Sequence, residues 1–314
     1  MPRALVTGVH GQDGYYLTER LLSEGWEVHG LARDEDAHLE IDDRVVLHRG
    51  DLADRPALAA LIETVEPDHV YNLGGISSVA YSWEHPVLTA EVSGLAPIAL
   101  MSAALDLQGR TGRDVRFVQA SSAELFGEPA TSPQDESTPI APLSPYGAAK
   151  AMAHHACRVF RQHGLHASSA ILYNHESPRR PESFVTRKIT SGVAAIARGE
   201  SDELVLGNLD ARRDWGWAPD YVDAMLRAAA HDEAMDVVIG TGRSYSVRDF
   251  VAAAFEAAGI MDWERHVRVD PRFVRPRDAT ELRADATRAR AELGWRPTVE
   301  FAEVVSRMVA EDLR

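Results

Sequence analysis

Thr7-Gly8-Val9-His10-Gly11-Gln12-Asp13-Gly14 is the stretch on which the fold turns. It follows a short β-rich run, 3–7, and opens a helical pattern over 11–23. Glycines at GxxGxxG spacing in a strand-turn-helix context predict a dinucleotide-binding turn. Gly8 permits the tight turn, Gly11 lets the backbone approach a pyrophosphate, and Gly14 allows close helix packing. The helix N-terminus favours the negative charge. Gln12 and Asp13 complete this cofactor segment.

Outward from the turn, β-rich runs at 26–32, 45–48, 69–72 and 115–118 alternate with helical patterns at 55–66, 85–107 and 145–163. Such alternation predicts an α/β fold with a doubly wound parallel sheet, whose strands look continuously apolar because both faces are covered. From Asn174 the alternation breaks at Ser177-Pro178-Arg179-Arg180-Pro181 and basic residues become frequent. The expected division is a dinucleotide-binding domain over 1–173, with a returning strand near 236–241, and a smaller α/β substrate lobe over 174–314.

After the second strand the chain runs Leu31-Ala32-Arg33 where an NAD site usually holds an acidic residue. A neutral residue followed by Arg33 suits a 2′-phosphate, so NADP is expected. Asp34, Glu35 and Asp36 place like charge beside that phosphate and keep NAD open as the alternative. Asp51 and Leu52 are placed to flank an adenine; Leu73, Gly74 and Gly75 can approach the cofactor through the backbone.

Tyr146-Gly147-Ala148-Ala149-Lys150 puts a phenol and an ammonium on one helix face. A cation at that distance favours the phenolate, so a side chain whose ordinary pKa is ~10 can act as a base nearer neutrality. Ser122 follows the fifth strand and can hydrogen-bond a hydroxyl being oxidised. Glu124, two residues on, decides the reaction type: a β-elimination needs a base for the carbon acid and an acid for the leaving hydroxyl, whereas a simple dehydrogenase or epimerase needs neither.

These motifs resemble those of the GDP-mannose 4,6-dehydratase family, within the extended short-chain dehydrogenases. The resemblance runs through 7–14, 71–74, 121–127, 144–150, Asn174-His175-Glu176-Ser177-Pro178-Arg179-Arg180, Phe184-Val185-Thr186-Arg187-Lys188-Ile189 and 206–216. The last three are its most specific parts. It implies a Rossmann-like fold and a hydro-lyase in which Tyr146 takes the O4 proton while the C4 hydride passes to NADP. Glu124 then removes the C5 proton and assists loss of water from C6, and the hydride returns to C6. By the same resemblance His175 and Arg180 contact the cofactor. Asn174, Lys188, Arg213 and Arg275 contact a GDP-sugar, with Ser77 a further sugar ligand.

Some positions depart from the family pattern. Ala123 and Phe126 replace a more polar residue and a Tyr, Trp217 replaces His, and Gly75-Ile76-Ser77-Ser78 replaces a polar segment. A GDP-heptose or modified hexose therefore stays open as the substrate, and a nucleotide-sugar 4-reductase or epimerase as the alternative enzyme. The short acidic run 33–38 favours a homodimer packed through the long helices over a homotetramer.

With 48 acidic against 33 basic residues and a formal net charge of −15, the chain is not expected to bind nucleic acid or an anionic membrane. No uninterrupted apolar stretch of ~18 residues and no leader pattern is read, so a soluble cytoplasmic enzyme is expected. The one cysteine, Cys157, reads as core filler. No metal site is expected: His175-Glu176 begins like HExxH but position 179 is Arg.

Overall fold

The computed structural model describes residues 1–36, 39, 41–273 and 279–314. Six strands alternate with helices in the first half: β1 (Arg3–Thr7), β2 (Glu27–Ala32), β3 (Val46–Arg49), β4 (His69–Asn72), β5 (Arg116–Ser122) and β6 (His166–Leu172). Eight shorter ones follow: β7 (Asn174–Glu176), β8 (Leu204–Leu206), β9 (Arg212–Arg213), β10 (Trp215–Trp217), β11 (Asp236–Ile239), β12 (Tyr245–Ser246), β13 (Val267–Val269) and β14 (Glu281–Leu282).

The main sheet has the order β11-β6-β5-β4-β1-β2-β3 and is parallel throughout. This is a Rossmann-like doubly wound sheet, and its strand order reverses between β1 and β4. Ligands of such sheets bind at that reversal, beyond the carboxyl ends of the strands. One face is covered by the helices Gln12–Ser23 and Ala218–Ala230, whose Leu17, Leu21, Met225 and Ala228 join Val6, Val118 and Ile171 in one apolar cluster. The other face packs Leu58, Ile62, Leu100 and Ala104 against Leu5, Val70 and Phe117. Cys157 lies in that second cluster, fully buried. A third cluster falls wholly within 189–309, where Ile189, Trp215, Phe250, Phe255, Val304 and Met308 meet.

Local signals explain the helix starts. Asp54 accepts from Ala57 N at 3.1 Å ahead of Arg55–Val65, and Pro56 fits the first turn. Ser144 accepts from Gly147 N at 3.0 Å ahead of Pro145–Gln162. Ser246 and Asp249 form a reciprocal capping box at Val247–Ala257.

Two departures from the sequence reading stand out. Strand β6 lies inside the sheet yet is unread, because its Ala-Ser-Ser-Ala centre lacks the β-branched run that marks a strand. The helix read at 85–107 extends to Thr111 and is broken by a π-turn at Glu91–Leu95. By length and composition alone Pro86–Thr111 is long and apolar enough to cross a bilayer, contrary to the reading of the apolar runs, but half of its 18-residue apolar stretch is buried within the protein.

The β11 edge of the sheet is closed by side chains. Val238 N donates to Glu136 Oε1 at 2.7 Å, and the Asp236 carbonyl accepts from Arg288 Nη1 at 3.1 Å. Burial raises the Glu136 carboxyl above its ordinary range despite the bond from Val238.

Candidate functional site

Gly8 adopts φ of 70°, and a Cβ there would lie 2.8 Å from Gly74 Cα, so the turns after β1 and β4 touch at the reversal point. A Cβ on Gly14 would lie 2.2 Å from the Gly8 carbonyl oxygen, which is why the helix can seat on the turn only with glycine at that position. Gly11 caps the helix without a side-chain hydrogen bond, leaving the first-turn N–H groups to an anion. Beneath the turn a polar chain fixes the strand ends. Thr7 Oγ1 donates to Asn72 Oδ1 at 2.6 Å and accepts from Gly74 N at 3.0 Å, and Asn72 Nδ2 donates to Gln119 Oε1 at 2.8 Å.

Gln12 and Asp13 turn sideways. Gln12 Nε2 donates to the His175 carbonyl at 3.0 Å and Gln12 Oε1 accepts from Ser177 Oγ at 2.8 Å. Asp13 faces His175 Nε2 at 2.9 Å. Arg180 pairs with Glu176 at 3.2 Å and lies over the Phe184 ring at 3.7 Å.

Arg33 is exposed and held by Asp36 through two bonds of 3.0 and 3.2 Å, with Glu35 a second partner. A cavity of about 370 Å³ opens beside this end of the sheet, lined by Leu31, Leu47, Arg49, Asp51, Leu58 and Leu61 among others. It lies apart from the Tyr146 cluster and takes in only Asp51 of the residues read as adenine neighbours. Leu52 packs instead against Gly74, where a Cβ would meet its Cδ1 at 2.8 Å.

The cluster read as catalytic sits at the carboxyl end of β5. Ser122 accepts from Glu124 N at 3.3 Å and starts the turn Ala123–Phe126. The turn rests on the start of the next helix, because a Cβ on Gly147 would lie 2.6 Å from the Glu124 carbonyl oxygen. Tyr146 is therefore held beside both residues. Burial pushes its phenol up to about 12, opposed by a hydrogen bond with Ser122 and reinforced by the Glu124 charge. Lys150, 5% exposed, places Nζ 5.8 Å from the Tyr146 ring centroid and donates to the Ala120 carbonyl at 2.8 Å. Burial brings its ammonium down to about 8. The ammonium thus holds the end of β5 as well as standing beside the phenol, a duty the i, i+4 spacing does not reveal. Glu124 is half-buried and its carboxylate has no hydrogen-bond or ion-pair partner among the described residues.

Among the residues read as substrate contacts, Asn174 begins β7 and is half-buried, while Lys188 lies 4.1 Å over the Phe273 ring. Arg213 is buried and donates to the carbonyls of Arg212 and Ala279, each at 2.8 Å. Ser77 is exposed on the segment before the helix Val79–Glu84, and Gly75 lies close to Lys150, whose Nζ a Cβ at 75 would meet at 3.8 Å. Arg275 lies outside the described residues.

The sequence reading passed over two positions. Ser82 is fully buried and accepts from Tyr146 N at 3.2 Å, capping a helix N–H from a different element. Asp214 is also fully buried and accepts from Thr241 N, Thr241 Oγ1, Gly242 N and Ala284 N, which ties the loop after β11 beside Arg213. A serine or an aspartate inside a motif gives no sign in one sequence of which distant N–H it will meet.

Residues 5–308 match the family model described as GDP-mannose 4,6 dehydratase. GDP-mannose 4,6 dehydratase 1 of Arabidopsis thaliana is 43% identical over 99% of this chain and 89% of its own length. The human GDP-mannose 4,6 dehydratase is 42% identical over 99% and 91%. Among solved structures, the UDP-glucose 4-epimerase of Thermus thermophilus in complex with NAD has a TM-score of 0.85 at 29% identity, covering 99% of this chain and 98% of that one. A dTDP-glucose 4,6-dehydratase of Streptomyces venezuelae with NAD bound has a TM-score of 0.85 at 25% identity, covering 98% and 96%. Matched over nearly its whole length by the family model and by relatives above 40% identity, this chain belongs to the GDP-mannose 4,6-dehydratase family.

Proposed function

We propose that the protein dehydrates GDP-mannose to its 4-keto-6-deoxy sugar as an NADP-dependent hydro-lyase. What supports this reading is the contact between the Glu124 turn and the Tyr146 helix at Gly147, together with the Ser122 hydroxyl and the Glu124 charge that act on the Tyr146 phenol. A reductase or epimerase has no use for the carboxylate.

The glycine turn fits a dinucleotide: Gly8, Gly11, Gly14 and Gly74 leave backbone where any side chain would collide or intrude. Gly8, Gly11, Gln12, Asp13, Gly14, Arg33, Asp51, Leu52, Leu73, Gly74, Gly75, Tyr146, Lys150, His175 and Arg180 would hold it, with Arg33 at the 2′-phosphate in favour of NADP. When bound, a nicotinamide would supply the acceptor for the C4 hydride and the donor for its return to C6, a return that C5 completes by taking up one proton. Tyr146 takes the O4 proton, with Ser122 holding the same oxygen and Lys150 stabilising the phenolate. The resulting ketone acidifies the C5 hydrogen. Glu124 removes that proton and then delivers one to the departing C6 hydroxyl, so its lack of other partners leaves it able to move. Asn174, Lys188, Arg213 and Arg275 would carry the sugar and diphosphate, the guanidinium fork being suited to phosphate oxygens.

A homodimer through the long helices agrees with the exposed apolar side chains Trp83, Val87, Met152 and Val159, of which Trp83 is 63% exposed. The test of function is direct: purified protein incubated with GDP-mannose alone is expected to give a product lighter by one water. A reductase would require added NADPH, and an epimerase would give a product of unchanged mass.

A further inference from the structure

Gly11-Gln12-Asp13-Gly14 and Asn174-His175-Glu176-Ser177, some 160 residues apart, form one polar unit. Besides the two bonds of Gln12, His175 Nε2 lies 3.0 and 2.9 Å from the two Asp13 oxygens, and Nδ1 lies 2.7 Å from the Tyr173 carbonyl oxygen. A carboxylate and a carbonyl only accept hydrogen bonds. A neutral imidazole carries one N–H and would leave one of those contacts without a proton; the imidazolium satisfies both.

We propose that His175 is a positioning cation: protonated on both ring nitrogens, it cancels the charge of Asp13 at the glycine turn and fixes β7 against that turn. Its bearing on catalysis rests on the dinucleotide reading above, but its protonation state does not.

The location gives the charge a purpose. Asp13 lies in the first turn of the helix Gln12–Ser23, where a diphosphate would be met by N–H groups, and retains 17% exposure. An unpaired carboxylate there would repel that diphosphate. It would also oppose the phenolate: burial dominates at Tyr146, and the Asp13 charge adds to it by favouring the protonated phenol. Arg180 faces the same pair and is itself engaged by Glu176. The Tyr221 ring stacks on the imidazole with centroids 4.6 Å apart. Burial works against the imidazolium and Arg180 does too, but the charge and hydrogen bond of Asp13 outweigh them and hold His175 above its ordinary range. At Asp13 burial acts to raise the carboxyl, and His175 with Arg180 more than reverses it.

The experiment has two arms. In the first, imidazole nitrogen NMR follows the 13 histidines, with His175 assigned by its loss in His175→Gln and by its response to Asp13→Asn. Both nitrogens are expected to be protonated at pH 7, and Asp13→Asn is expected to return the ring to neutral there. A neutral His175 in the unaltered protein at pH 7 overturns the proposal. This arm needs no turnover, so it stands even where GDP-mannose gives no product.

In the second arm NADPH affinity is read by fluorescence on variants checked for folding by thermal melts. His175→Gln is expected to weaken NADPH by about tenfold, equivalent to one decade in Kd. Asp13→Asn/His175→Gln places two neutral amides in mutual reach and is expected to recover most of that loss. A double variant as weak as the two single losses combined overturns the charge-cancelling role.

Discussion

Gly147 makes room for the carbonyl of Glu124: a side-chain carbon at 147 would stand 2.6 Å from that oxygen. The residue after the proposed base, Tyr146, is thus the one that lets the acid-bearing turn come close. This relationship, and not the spacing of Tyr146 and Lys150, brings position 124 beside Tyr146.

Gly147→Ala is accordingly expected to displace the Ala123–Phe126 turn. The overpacking should cost about 1–3 kcal/mol in chemical denaturation and lower kcat more than it raises KM. Gly109→Ala is the control, because nothing lies within 4 Å of a Cβ at that helix position. It should stabilise by about 0.5–1 kcal/mol and leave turnover unchanged.

Glu124→Gln keeps the shape of the side chain and removes its ability to shuttle a proton. NADPH binding should be retained while product formation from GDP-mannose falls by ~10²–10⁴. Undiminished dehydration in that variant would remove Glu124 from the mechanism.

Lys150 is a buried ammonium with a single described hydrogen bond, to the Ala120 carbonyl. Its fall from 10.5 to about 8 corresponds to about 3 kcal/mol against the charged form. Between these two values the folded chain has lost the proton that the unfolded chain still binds, so stability should rise with pH across that interval. Lys150→Met should abolish that rise, stabilise the protein at pH 7 by about 1–3 kcal/mol, and reduce turnover severely. Urea midpoints measured from pH 7 to 10.5 read the first two effects, and lowered stability at pH 7 would refute them.

Arg33 is engaged by Asp36 and Glu35 rather than waiting for a phosphate. An incoming 2′-phosphate must compete with those carboxylates. Asp36→Asn should therefore tighten NADP relative to NAD several-fold, an effect that shrinks with added salt because the groups are exposed. Titration of both dinucleotides at two ionic strengths checks this, and an unchanged ratio would take Arg33 away from the phosphate.

The parts of the fold that were legible in the sequence are those set by local chemistry. The GxxGxxG turn, the strand His69–Asn72 and the helix opened by Ser144-Pro145 all announce themselves through glycine, apolar runs or caps. Strand β6 does not, since Ser168 and Ser169 find their partners only in the folded chain, at Met235 N and His154 Nδ1. The candidate site divides in the same way. Ser122, Tyr146 and Lys150 follow from spacing and position after a strand. The capping of Tyr146 N by Ser82 and the pairing of Asp13 with His175 depend on long-range approach, which no spacing rule encodes.

The bracket of Glu136 and Arg288 on strand β11 bears on how this edge of the sheet can meet another chain. A sheet that leaves its last strand bare invites another chain to extend it. Here a donor and an acceptor on that strand are already spoken for, so a stray strand would have to displace both side chains before it could add. Growth of the sheet from that side is therefore opposed while the chain is folded.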